Sequence, residues 1–235
     1  VKDPEVKKLV SATSYELINF VYNYLKECGW KSTFNYSRRA PTQFMAKTLE
    51  IPKGSVSGFI KYVDYCYLLS KNFTEKDEAA RYSENHGTSI YFSVVLYWLL
   101  VYFGVLSEKK LQLCQGYFRY KTRADKVPEP RYRVGLHAWL SYNDAVMDVT
   151  IWQQGELFDF ERRGFTIPVI TGNIPEGMKL IGFEEDRTLA KEYARKFARD
   201  SELTFCEWVN YHGQQADLLY NARKLEQEPD HFAAG

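Results

Sequence analysis

An α+β fold is predicted by three observations: helical period at both ends of the chain, strand period in its middle, and one long uncharged run just before the strands. At 235 residues the chain is long enough to bury a sizeable core as a single domain, 1–235. Within it the reading is a helical N-terminal part at 1–82, a core at 83–170 and a mainly helical C-terminal part at 171–235.

The first eighty residues read as helical. Tyr15 to Leu25 has apolar residues at three-and-four spacing behind Ser14, a capping residue type, and Cys28-Gly29-Trp30 ends it. The polar stretch Arg38-Arg39-Ala40-Pro41-Thr42 reads as a loop or start signal, and Ile60 to Ser70 and Glu75 to Tyr82 as further helices. Gly54-Ser55-Val56-Ser57-Gly58 lacks the lysine and the spacing of a P-loop and reads as a turn.

Ser89 to Leu106 carries no charge and approaches the length of a membrane span. Its Tyr, Trp and Ser content, the interruption at Gly104 and the charged Ser107-Glu108-Lys109-Lys110 turn point instead to a buried central helix, apolar all round. No membrane span is expected.

Strand period follows at Leu111 to Lys121, Arg131 to Leu140 and Ala145 to Trp152, with Thr122 to Pro130 as an exposed loop. Two short apolar pieces, Thr166 to Gly172 and Met178 to Phe183, are separated by Asn173-Ile174-Pro175-Glu176-Gly177. Thr188 to Asp200 is amphipathic with alternating charge on its polar face, Phe205 to Leu225 is similar, and Glu226 to Gly235 reads as a frayed end.

Composition excludes several classes. A net charge of +1 with interspersed signs leaves no electrostatic footprint for nucleic acid. Cys28, Cys66, Cys114 and Cys206 are too scattered for a zinc site or a disulfide framework, which fits a reduced, cytoplasmic setting, and the polar start shows no signal peptide. Cys114 lies mid-strand and reads as a buried, inert thiol. His212 and Glu207 have no third ligand at metal spacing, so neither a metal nor another cofactor is expected. An aromatic fraction of 16% is compatible with a peptide-contacting surface and equally with aromatic packing.

The segment from His137 to Thr150 carries the chemistry. Strand formers on both sides of Asn143-Asp144 predict a hairpin in which Tyr142 faces Ala145 and His137 faces Thr150. Asp148 is then the diagonal neighbour of His137 on the same face, about 7–8 Å away at Cα and within side-chain reach. A carboxylate there fixes the imidazole tautomer and supports the imidazolium, as the third member of an acyl-transfer triad does.

These residues resemble the His-Ala-Trp and Asp-x-Thr segments of the transglutaminase-like superfamily, relatives of the papain-type thiol enzymes. Leu111 to Tyr117 is similar to the family's Gly-aromatic strand. The resemblance covers Gly87 to Thr150 and implies a papain-like or transglutaminase-like core, a central helix packed on an antiparallel sheet, with helical additions at both ends. It also implies a nucleophile at the start of the central helix, where Gly87-Thr88-Ser89 stands and Ser89 replaces the family's Cys. Thr88 is a capping residue type, and the first turn places the positive end of the helix dipole at position 89, which favours a thiolate and an oxyanion. Three readings of the serine stay open: one introduced in place of cysteine, a natural nucleophile, or an inactive relative.

The function implied is acyl transfer at an amide bond of a peptide or protein, of protease, amidase or transglutaminase type, by Ser89, His137 and Asp148. The alternative is a catalytically dead module that binds a peptide or protein partner in the same cleft. Substrate identity and oligomeric state are not written in these residues.

Overall fold

In the computed structural model the described residues are 42–72, 87–122, 131–152, 169–175, 177–184 and 187–227. The expected helices at 15–25 and 75–82, Cys28, most of the loop before Arg131 and the chain end beyond 227 lie outside them.

The fold is mixed, with helices on an antiparallel sheet. The strands are β1 (Thr42–Phe44), β2 (Leu111–Thr122), β3 (Arg131–Tyr142), β4 (Ala145–Asp148), β5 (Ile170–Gly172) and β6 (Met178–Glu184). The helices are α1 (Val56–Asn72), α2 (Gly87–Tyr102), α3 (Arg187–Asp200) and α4 (Phe205–Gln227). The strands form one six-stranded sheet in the order β1-β6-β2-β3-β4-β5, every neighbour antiparallel.

Helix α2 is central because it has no polar face to turn outward. Phe92, Val94, Val95, Leu96, Tyr97, Leu99 and Leu100 are all buried, and α2 packs against α1, α3, α4, β2 and β3. It ends where Gly104 takes φ +69°. There Gly104 N donates to Val101 O and Val105 N to Leu100 O, closing the helix with a left-handed cap. No described helix is long and apolar enough to cross a membrane.

Alternation along the strands builds two cores. Leu111, Leu113, Ala138, Leu140, Met147 and Val149 join the helices in the larger one. Cys114, Phe118, Trp139, Val146, Ile151, Ile170, Met178 and Leu180 form the second, with Phe44 and Ile174 against it. Phe44 and Ile170 come from opposite edges of the sheet, so the sheet is curled around this second core. The chain after β1 crosses from one edge to the other, where Lys47 N donates to Gly172 O. The result is a half-barrel with helices outside.

Three expectations need correction. Residues 42–44 form an edge strand on β6 rather than loop or helix, too short to show a period. Helix α1 begins at Val56, so Val56, Ser57 and Gly58 belong to it, and Lys53–Ser55 forms a short 3-10 helix just before it rather than an open turn. The strand expected to run to Trp152 stops at Asp148, because the Asp148 carboxylate accepts from the Thr150 N–H and folds the backbone away from the ladder.

Candidate active site

The turn between β3 and β4 sets the geometry. Asn143 and Asp144 both have positive φ, 49° and 66°, the conformation of a two-residue hairpin turn whose twist matches the strands. The observed pairs are Tyr142 with Ala145, Ser141 with Val146 and Leu140 with Met147, which is the register expected from the sequence. It places His137 and Asp148 diagonally on one face.

They meet. His137 Nε2 donates to Asp148 Oδ2 at 2.5 Å, with His137 3% and Asp148 1% exposed. The other carboxylate oxygen, Oδ1, accepts from Thr150 N at 2.8 Å and Thr150 Oγ1 at 3.0 Å. Three donors therefore hold the carboxylate, which in turn fixes the imidazole. In the neutral ring this bond puts the proton on Nε2 and the lone pair on Nδ1, the arrangement a general base needs.

The ring neighbours of His137 are aromatic. Trp139 lies nearly parallel to it, centroids 6.2 Å apart at 24°, and Phe118 meets it edge-on at 5.8 Å and 78°. Both belong to the core inside the half-barrel.

Ser89 lies in the first turn of α2, 9% exposed, as expected; the helix begins at Gly87, so Thr88 is its second residue rather than its cap. One turn further on, Ser93 Oγ donates to Ala138 O at 3.3 Å and fixes the helix to β3. Ala138 points to the helix side and its neighbours His137 and Trp139 to the barrel side. No direct hydrogen bond joins Ser89 to His137. The structure thus brings His137 and Asp148 together and holds Ser89 on the helix-packed side of the same strand.

Thr150 is a hydrogen-bond partner of Asp148 not expected from the sequence, although its signal, a hydroxyl two residues after an aspartate, is legible. Cys114 is fully buried, as expected. No group of His, Cys, Asp and Glu capable of holding a metal occurs among the described residues.

His212 belongs to a separate cluster. Its Nδ1 lies 2.8 Å from the Tyr65 hydroxyl and its Nε2 3.3 Å from that of Tyr91. Burial among α1, α2 and α4 lowers its pKa to about 4, so the ring is neutral. A neutral ring has one donor and one acceptor, so one tyrosine accepts and the other donates.

Comparisons of the chain with protein-family models, curated proteins and solved structures give no significant match. The likeness to the transglutaminase-like enzymes therefore rests on the motif residues alone.

Proposed function

We propose that the chain is a transglutaminase-like, papain-related module for acyl transfer at amide bonds of peptides or proteins. The observation that carries this reading is the buried His137–Asp148 pair, its carboxylate held on both oxygens. A supported, tautomer-fixed imidazole is what a hydroxyl or thiol nucleophile requires.

In this reading Ser89 Oγ attacks the carbonyl carbon and its proton passes to His137 Nδ1, a step that requires the first turn of α2 to move, since the two side chains lie on opposite faces of β3. Backbone N–H groups of the first turn of α2 hold the oxyanion. The intermediate collapses, the C–N bond breaks, and the leaving amine takes the proton from His137. Water or a second amine then gives a proton to His137 and attacks the ester, and Ser89 regains its proton as the acyl group departs. Water makes the enzyme a hydrolase, and an amine makes it a cross-linker.

A second reading is favoured by a specific observation: position 89 is a serine that makes no hydrogen bond to His137. A hydroxyl without its base is a poor nucleophile at neutral pH, which suits a non-catalytic binding module.

The deciding experiment treats the native protein with a fluorophosphonate and the Ser89→Cys variant with iodoacetamide, each with and without His137→Ala. Labelling at position 89 that depends on His137 supports the enzyme. Absence of His137-dependent labelling in both proteins leaves the binding module.

A further inference from the structure

We infer that Trp139, seated on Gly182, is the positioning residue that holds the His137 imidazole against Asp148, an inference that rests on the acyl-transfer reading of this pair. Three contacts fix the indole. Its plane lies within 24° of the His137 ring, Phe44 meets it edge-on at 5.4 Å and 88°, and its far edge rests on the backbone of β6.

That last contact exists only because residue 182 has no side chain. A Cβ on Gly182 would stand 2.6 Å from Trp139 Cζ2 and 2.9 Å from Cη2. Gly116, paired with both Gly182 and His137, is equally constrained, since its Cβ would lie 2.0 Å from Ile181 O. Two facing glycines let β6 approach β2 closely and make the seat in which the indole lies.

The tryptophan is kept for its ring rather than its donor. Its Nε1 is buried and meets no acceptor among the described residues, a cost that a phenyl ring would avoid. The indole lies beside the imidazole, nearly parallel with centroids 6.2 Å apart, and Phe118 meets the imidazole edge-on at 5.8 Å, so two aromatic neighbours confine the ring. Nε2 is thereby kept on Asp148 Oδ2. Trp139 touches no reacting atom.

The test reads the dyad directly, independently of any nucleophile. In the intact protein the His137 Nε2 proton is followed by proton–nitrogen NMR, assigned by its loss in His137→Gln, and its exchange with water is timed. Gly182→Ala pushes the indole off its seat without altering His137 or Asp148. The exchange should quicken about tenfold, the loss expected when a contact comparable to one hydrogen bond disappears.

Adding Trp139→Phe to Gly182→Ala removes the ring atoms that collide with the new Cβ and should restore slow exchange. Should Gly182→Ala fail to fold, Trp139→Leu, which replaces the aromatic face without crowding, carries the same expectation. Unchanged proton exchange in a folded variant whose Trp139 N–H resonance has moved overturns the positioning role. Faster exchange in Gly182→Ala, restored in the double variant, establishes it. If the dyad behaves so but thiol labelling of the Ser89→Cys variant is indifferent to His137→Ala, the positioning role stands and the acyl-transfer reading falls.

Discussion

Asp148 ends a strand and orients a base with the same carboxylate, Oδ1 turning the backbone through Thr150 and Oδ2 taking the His137 proton. The three positions should therefore separate experimentally. Measured as iodoacetamide rate at position 89 in the Ser89→Cys protein, reactivity should fall from the parent to Asp148→Asn and further to His137→Ala. The amide keeps the imidazole in place but withdraws its charge support. Equal rates in all three would leave the pair a purely structural staple. Thr150→Val deletes one hydroxyl bond to a buried carboxylate and should cost about 2 kcal/mol in urea unfolding. His212 makes a different prediction. Its folded pKa, about 4, lies below the ordinary 6.5, so the unfolded chain binds a proton first as pH falls. Its contribution is complete above the unfolded value and declines as pH drops toward the folded one. Stability should fall by about 2 kcal/mol between pH 7 and pH 5 from this residue alone. A His212→Phe variant with the same pH slope would assign the loss elsewhere.

Among the helices and strands, ends are closed by local chemistry. Helix α4 opens with Thr204 and Glu207 as a reciprocal cap: Thr204 N and Oγ1 both donate to Glu207 Oε2, at 2.8 and 2.7 Å, and Glu207 N donates to Thr204 Oγ1. The hydroxyl and the backbone N–H of Thr204 also lower the Glu207 pKa. Thr204→Ala should lower the unfolding free energy by about 1 kcal/mol, read as a shifted urea midpoint at constant slope. An unchanged midpoint would mean that packing of Trp208 and Val209 alone secures this end. The threonine, two residues and glutamate that make the cap are plain in the sequence, as are the buried positions of α3, whose Ala190, Tyr193, Ala194, Phe197 and Ala198 keep helical spacing. The edge strand β1 was not legible, because three residues carry no period and its partner β6 lies far along the chain.

Across the molecule, the strap after β1 closes the half-barrel around the second core. Lys47 fastens it twice: its N–H donates to Gly172 O, and its Nζ donates to Asn143 O at 2.7 Å and to Asp144 Oδ2 at 3.2 Å. Gly172 has φ +98°, and a Cβ there would stand 2.7 Å from Leu49 N and 2.9 Å from Lys47 O. Gly172→Ala should therefore destabilise the protein by about 2–3 kcal/mol, combining backbone strain with collision against main chain that has no rotamer to escape into. Lys47→Ala, which removes only an exposed ion pair and one side-chain bond, should cost less than about 1 kcal/mol. Equal losses in thermal unfolding would show that the strap is held by its lysine rather than by backbone fit.

Whatever depends on neighbours along the chain could be read from the residues alone. The apolar run after Ser89 had to become an enclosed helix because none of its faces tolerates water. The two-residue turn at Asn143-Asp144 fixed the hairpin register, and the period of two then put His137 and Asp148 on one face. Local pattern carried that much because hydrogen bonding and side-chain period act over a few residues. Which face that would be was settled by packing, since alternation distinguishes two sides of a strand without saying which one the helix will cover. Ser89 and the dyad thus occupy opposite sides of β3 although their spacing along the chain suits a triad. The seat of Trp139 on Gly182, the closure by Lys47 at Gly172 and the tyrosines around His212 likewise join residues far apart in sequence. Such contacts arise from the packing of whole surfaces, and no short pattern encodes the partner on the other side.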